Sequence, residues 1–261
     1  MEETIKLAIA DQIAKIIFNK PKNYNAFDLE MITHFADIII PLATNKSVCG
    51  VIITGAGKAF CAGGDLHWAL NFKEGPSAAF HELSSRFHQS ILEIRRMNKP
   101  VIAAINGIAA GGGFSLALAC DFRVMSRSAT LRQGFTSNGL SIDGGGTFTL
   151  PRIVGLSRAL EIAAFDKAIA AEQALSWGLI TRIADDGQTV AEAENMVKEI
   201  RQGSLVSFGW SKQLLTDSFH SSLEAQLQRE RKGLFSCAAH GDGKEGLKAF
   251  MEKRKPVFNP G

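Results

Sequence analysis

The run Lys99-Pro100-Val101-Ile102-Ala103-Ala104-Ile105-Asn106-Gly107-Ile108-Ala109-Ala110-Gly111-Gly112-Gly113-Phe114-Ser115-Leu116-Ala117-Leu118-Ala119 sets a helix stop, a strand, a glycine turn and a helix start in succession. Proline removes a backbone donor and clashes with the preceding turn, so Lys99-Pro100 ends the helix before it. Val101–Ile105 is short, apolar and β-branched at three positions, the pattern of a buried strand. Gly112–Ala119 then continues as a helix of small residues. The same order occurs upstream: a strand over Val51–Thr54, the turn Gly55-Ala56-Gly57, the segment Phe60-Cys61-Ala62-Gly63-Gly64-Asp65, and a helix over Ala78–Met97 with Phe80, Leu83, Phe87, Ile91 and Ile94 at helical spacing. A repeating strand, glycine turn and helix predicts an α/β protein.

Working outward, Ile5–Ile9 and Gln12–Phe18 alternate as a strand pair turning near Ala10-Asp11. Asp28 caps a helix over Leu29–Leu42, and two short strands follow the central stretch at Phe122–Met125 and Ala129–Leu131. Beyond Gly145, helices dominate: Thr147–Val154, Ser157–Ala164, Ala171–Trp177, Val190–Gln202, Leu205–Ser218, Ser221–Cys237 and Gly243–Lys253, with a strand near Leu179–Ile183. The chain therefore divides into an α/β core over residues 1–185 and a helical region over 186–261, the latter suited to pack on a neighbouring subunit.

Bulk properties narrow the function. With 261 residues, 46% of them hydrophobic, the chain can bury a large core. No apolar run reaches the ~20 residues of a bilayer span, and Met1-Glu2-Glu3 lacks the basic-then-apolar order of a secretion signal, so a soluble, cytoplasmic protein is expected. A net charge of +3 without an arginine-rich stripe gives no footprint for nucleic acid. The four cysteines, Cys49, Cys61, Cys120 and Cys237, form no C-x-x-C pair, so neither zinc nor a disulfide framework is expected; His81 and His88 lack a third metal ligand.

The glycine segments carry the chemistry. Each follows an apolar run and can aim bare backbone N–H groups at one point, which is how main chain builds an oxyanion hole; Gly112 also opens a helix, where free N–H groups and the dipole favour negative charge. A third cluster, Asp143-Gly144-Gly145-Gly146, adds a carboxylate. Asp143 is read either as an acid–base group or as an N-cap for the following helix.

Six segments in order resemble the crotonase (enoyl-CoA hydratase/isomerase) superfamily over nearly the whole chain: Asn19–Ala26, Gly57–Leu66, Lys99–Gly107 running into Gly111-Gly112-Gly113, Asp143–Thr147, Ala174–Ile180 and Glu245–Arg254. The resemblance implies a ClpP-like spiral of ββα repeats whose helical C-terminal region builds homotrimers or dimers of trimers. It implies an acyl-CoA thioester as substrate, with no separate cofactor and no metal. By position, Ala62 and Gly112 would donate to the thioester oxygen, and Lys22, Ala26, Ala62, Gly64, Asp65 and Leu66 would line the coenzyme A path. Phe250 and Lys253 would reach a neighbouring subunit's coenzyme A. Trp68, His88, Ser115, Phe135 and Leu140 would border the acyl pocket.

One departure from the family is informative. Where typical hydratases carry two glutamates, this chain has Ser115 and Phe135, neither of which exchanges a proton as a carboxylate does. Asp143 occupies the place of the catalytic aspartate of crotonase-like isomerases and of the nucleophilic aspartate of 4-chlorobenzoyl-CoA dehalogenase. The expectation is an enoyl-CoA isomerase in which Asp143 shuttles a proton, with its pKa raised by an apolar pocket. The alternatives are a hydratase with a non-standard site, an Asp-nucleophile dehalogenase or hydrolase helped by His88, and a non-catalytic acyl-CoA binder.

Overall fold

The computed structural model describes residues 3–258. Strands β1 (Ile5–Ala10) and β2 (Ile13–Phe18) form an antiparallel hairpin. Asp11 and Gln12 both take positive φ, 52° and 64°, as the two central residues of a type I′ turn must. Helix α1 (Leu29–Thr44) starts where Asp28 accepts a hydrogen bond from the Met31 N–H at 3.0 Å. Then come β3 (Gly50–Gly55), β4 (Ala59–Cys61), α2 (Leu66–Leu70), α3 (Pro76–Arg96), β5 (Val101–Ile105), β6 (Ile108–Ala110), α4 (Gly112–Ala119), β7 (Phe122–Ser126), β8 (Thr130–Arg132) and α5 (Gly146–Phe165). The chain closes with β9 (Ile169–Ala170), α6 (Ala171–Ser176), β10 (Arg182–Ala184) and helices α7 (Thr189–Arg201), α8 (Leu205–Asp217), α9 (Leu223–Ala239) and α10 (Gly241–Met251).

Pairing shows how the repeats build a spiral. The six-stranded sheet runs β1-β2-β3-β5-β7-β10 and the four-stranded sheet β4-β6-β8-β9. Each repeat, β3/β4, β5/β6 and β7/β8, gives its first strand to the larger sheet and its second to the smaller, with parallel pairing between repeats. Parallel neighbours cannot be joined by a tight hairpin, so each repeat needs its crossover helix. Inward of its exposed edge strand β1 the larger sheet is covered on both faces, which explains the unbroken apolar runs of β3 and β5. One face packs Ile16, Phe18, Ile53 and Ile105 against α1, α3 and α4, with Phe18 ringed edge-on by Phe27, Phe35 and Phe60. The other face buries Ile52, Ile102 and Val124 under Met196 and Val197 of α7. The boundary expected after residue 185 thus falls just before a helix that packs directly on the sheet.

Two local features differ from the sequence expectation, and one that agrees has a clear cause. The last strand of the large sheet is Arg182–Ala184, because Gly178 turns at φ 74° and Leu179 and Ile180 are buried before pairing begins. The two helices expected over 147–164 are both present within α5, separated where Gly155 adopts φ 76° and ψ 159°. Strands β4 and β6 are three residues each, too short to show a period, and exist because they pair with one another.

Candidate active site

The two glycine segments meet because β4 and β6 are parallel neighbours, with Cys61 opposite Ala109. Their carboxyl ends lie side by side, so the turns that leave them run together. Contact is backbone on backbone. A Cβ placed on Gly63 would sit 2.9 Å from both the Gly112 nitrogen and the Ala110 oxygen, and Gly63 has φ 96°. A Cβ on Gly113 would lie 2.1 Å from the Cys61 oxygen. Only glycine allows this approach.

Hydrogen bonding decides which amides are available. The Ala62 N–H donates to the Tyr24 carbonyl at 3.0 Å, the Gly63 N–H to the Cys61 sulfur at 3.3 Å, and the Asp65 N–H to the Phe27 carbonyl at 2.8 Å. The Ala62 amide, expected from sequence to face the substrate, is therefore committed to the protein. Between these donors the Gly64 N–H has no protein acceptor among the described residues, and the same holds for the Gly112 N–H in the first turn of α4. Every residue of α4 is buried and its N-cap, Gly111, offers no side chain. The positive end of the helix dipole is thus left uncompensated beside Gly64.

Asp143 stands at the wall of a cavity of about 590 Å³ lined by Phe80, Ser84, His88, Phe135 and Leu140 among others. Its two carboxylate oxygens are separately held. Ser84 Oγ donates to Oδ2 at 2.7 Å, and His88 Nε2 lies 2.7 Å from Oδ1. Ser84 and His88 are one helical turn apart on α3, so one face presents both. Burial pushes the Asp143 pKa up, but the Ser84 hydroxyl, the Gly144 N–H and the His88 ring outweigh it, and the carboxyl lies below its ordinary value. This corrects the expectation of a raised pKa: the acyl-side apolar wall is present, yet three hydrogen-bonding groups favour the charged form. Asp143 is not the cap of α5 either; Gly145 occupies that position without any side-chain cap.

The triplet after Asp143 is what aims it. Gly144 and Gly145 have φ 63° and 76°, and a Cβ on Gly144 would strike the Phe87 ring at 2.4 Å. Ser115 fills the space beneath: its Oγ is buried without a partner, 2.7 Å from where a Gly146 Cβ would be. Ser115 thus supports the turn and does not border the cavity as expected. Trp68 likewise packs on Phe72, ring centres 5.1 Å apart, and is absent from the cavity lining.

Among residues expected on the coenzyme A path, Lys22 is exposed in a 3-10 turn (Pro21–Asn23), Ala26 is buried behind it, and Leu66 is exposed at the start of α2. Asp65 caps α2, accepting from Trp68 N–H at 3.0 Å and from Asn23 Nδ2 at 2.6 Å. Phe250 and Lys253 lie exposed at the end of α10 and just beyond it. Ser84 is the site residue that sequence reasoning left without a role, and the i, i+4 spacing of Ser84 and His88 was the available signal for it; Gly64, expected on the coenzyme A path, is the one whose amide is free in place of Ala62. Cys61, beside the glycine loop, is fully buried and its thiol is pushed up to about 12 by burial, so it is no nucleophile.

Parallel ββα repeats, two unpaired amides at adjacent strand ends and a carboxylate over an apolar cavity define an enzyme of acyl-thioester chemistry in the crotonase fold. Residues 8–260 match the family described as Enoyl-CoA hydratase/isomerase, and the chain belongs to it. It is 32% identical over 259 residues to 1,2-epoxyphenylacetyl-CoA isomerase of Escherichia coli (strain K12), covering 99% of each chain. It is 28% identical over 256 residues to 4-chlorobenzoyl coenzyme A dehalogenase-2 of an Arthrobacter species, covering 95% of this chain and 91% of the other. Among solved structures, an enoyl-CoA hydratase from Polaromonas sp. JS666 superposes with a TM-score of 0.92 at 32% identity, covering 98% of this chain and 99% of that one. No helix among the described residues is long and apolar enough to cross a membrane.

Proposed function

We propose that the protein is an isomerase of unsaturated acyl-CoA thioesters that uses Asp143 as its single proton carrier. The Gly64 and Gly112 N–H groups receive the thioester oxygen. The Asp143 carboxylate removes a proton from the α carbon of a β,γ-unsaturated chain, the electron pair moves onto that oxygen as a dienolate, and the protonated aspartyl group returns the proton to the γ carbon. The double bond shifts and nothing else is consumed. The observation that carries this reading is that Asp143 is, among the described residues, the only carboxylate lining the cavity, and is held in its charged form. Hydration by a pair of carboxylates has no second partner there. The similarity to the 1,2-epoxyphenylacetyl-CoA isomerase agrees with it.

The test is Asp143→Asn on a panel of enoyl-CoA compounds in deuterated water. We expect loss of about 10²–10⁴-fold in turnover with acyl-CoA binding kept, and deuterium on product carbon in the active enzyme. Undiminished turnover removes Asp143 from the mechanism. Binding without any reaction across the panel, in the unmodified protein, leaves a thioester-binding protein instead.

The 2.7 Å contact of His88 with Asp143 favours one second reading. On this reading Asp143 attacks a halogen-bearing aryl carbon and expels halide, or attacks the thioester carbon and expels the coenzyme A thiolate, and His88 then activates water to hydrolyse the aspartyl intermediate and restore the carboxylate. Single turnover in ¹⁸O-water separates the two: the covalent route leaves label in the Asp143 carboxyl, and proton transfer does not.

We further infer that subunits associate through the C-terminal helices as a trimer or a dimer of trimers, bringing Phe250 and Lys253 to a neighbour's coenzyme A. The support is a row of bare apolar side chains on α9 and α10, with Leu234 and Phe235 each 75% exposed and Phe250 and Met251 each 80%.

A further inference from the structure

The cavity at Asp143 is not the only concavity along α3. One turn beyond His88, Ile91, Leu92, Arg95 and Arg96 open onto a second cavity of about 690 Å³, whose wall includes Gly145, two residues from Asp143. His88 and Ile91 share a face of the helix by their spacing. A third cavity of about 270 Å³ has Arg95, Phe148, Thr149 and Thr216 in common with the second. Together they form one recess, bounded at one end by Gly145 behind the Asp143 turn. From His88 to Arg95 is seven residues, or ~10 Å of helix, more than a short acyl group spans.

The recess is rich in guanidinium groups whose partners are neutral. Arg95 donates to Thr216 Oγ1 at 2.9 Å. Arg152 donates to the Phe148 carbonyl at 2.8 Å and lies 3.6 Å over that ring. Arg123, buried, donates to the carbonyls of Leu179 at 2.6 Å and Cys120 at 2.7 Å. Two carboxylates face the same space and both are engaged. Asp121 accepts from Lys212 at 2.8 Å and from the Val101 N–H at 2.9 Å, and Asp217 on the rim lies 3.5 Å from Arg229. Positive charge is therefore in excess where water is partly excluded, a situation that an anion relieves. Burial lowers the Arg123 pKa; Cys120 and Asp121 oppose that, and the like charge of Arg95 adds to it.

We propose that this arginine-lined recess receives a carboxylate at the far end of the acyl chain, making the enzyme selective for thioesters of dicarboxylic acids. Arg95, shared by both outer cavities, and Arg152, open to solvent, are the contacts; guanidinium and carboxylate match as a two-point pair. The proposal rests on the acyl chain occupying the Asp143 cavity, and selectivity is a matter of what lies beyond that cavity.

The experiment compares saturated acyl-CoA thioesters of equal carbon number ending in a carboxylate or a methyl group. They are titrated calorimetrically into the intact protein over a series of lengths. Saturated chains cannot isomerise, so affinity is read without chemistry. We expect the carboxylate-ended chain to bind at least about tenfold tighter at the length that reaches Arg95. In Arg95→Gln, and separately in Arg152→Gln, the ratio should fall toward one; Arg152 is exposed, so its variant serves if Arg95→Gln does not fold. Equal affinities at every length overturn the proposal, and Asp143 isomerisation stands or falls independently on the asparagine variant. Inorganic phosphate or free glutarate binding in the recess without displacing the acyl-CoA would assign it to a free anion and overturn it also.

Discussion

His88 Nε2 and Asp143 Oδ1 lie 2.7 Å apart, joining the middle of α3 to the loop before α5 across 55 residues of sequence. With Ser84 on the other oxygen, the contact holds the carboxyl charged and turned toward the cavity. A charged aspartate accepts a proton or attacks a carbon. It cannot begin as an acid.

The pH dependence follows from this. Asp143 has a pKa below its ordinary value, so the group is ionised, and the site competent, from neutral pH down past the ordinary aspartate value of ~3.9. Competence is lost only as pH falls through the lowered folded-state value. Removing the Ser84 hydroxyl takes away the largest of the lowering interactions. Ser84→Ala should therefore move the acid limb of kcat/KM upward, and ¹³C NMR of the Asp143 carboxyl should titrate upward with it. An unmoved limb would show that another group controls the acid side.

The glycine loop makes a sharper prediction. Gly64 has room for a methyl group: the nearest side-chain atoms to its Cβ position, from Leu83 and Phe80, are 3.5 Å away. Gly63 does not, with backbone at 2.9 Å and a positive φ. Gly64→Ala keeps its N–H and should retain most of kcat/KM. Gly63→Ala should push the two strand ends apart and lose about 10²-fold or more, the scale of one missing oxyanion donor. If both variants were equally active, the two amides would not form the hole.

These two positions also mark what the sequence could tell. Helix α3, expected over 78–97, spans 76–96 because its apolar spacing is sustained for more than five turns and Pro100 follows it. The central strand and α4 fall on the expected residues because β-branched and small residues change abruptly at Gly111. Which amide of Ala62-Gly63-Gly64 is free was not legible. It depends on the Tyr24 carbonyl, which Tyr24 and Asn25 present through positive φ values of 49° and 57°. The Asp143 pKa was misjudged for the same reason: Ser84, 59 residues away, comes to the carboxyl only through the packing of α3. Local pattern records periods and turns, and both errors concern hydrogen bonds made between distant segments.

A structural prediction concerns Lys212. Its ammonium group is buried on α8 and donates to Asp121 and to the Ile94 and Lys99 carbonyls, tying the helical region to the strand ends. Burial pushes the Asp121 carboxyl up and the Lys212 amine down, so each depends on the other to remain charged. Lys212→Met leaves a buried carboxylate without its cation and should cost about 3–5 kcal/mol in urea unfolding. The double variant Lys212→Met, Asp121→Asn should recover part of that loss. A single variant within ~0.5 kcal/mol of the parent would mean that the pair carries no net stability.

The proposed association through the C-terminal helices can be tested without entering the site. Leu234 projects from α9 at 75% exposure and Met251 from the end of α10 at 80%, neither lining the Asp143 cavity. A subunit interface that buries them gains ~1.5–3 kcal/mol for each such side chain, and a charge there would have to be desolvated without a partner. Sedimentation equilibrium should therefore give a mass of three or six chains for the parent and a shift toward one chain for the double variant Leu234→Glu, Met251→Glu. On the proposal that Phe250 and Lys253 reach a neighbour's coenzyme A, KM for acyl-CoA should rise along with dissociation while the Asp143 acid limb stays in place. An assembly that survives both substitutions, or a dissociated chain with unchanged KM, would separate subunit association from coenzyme A binding.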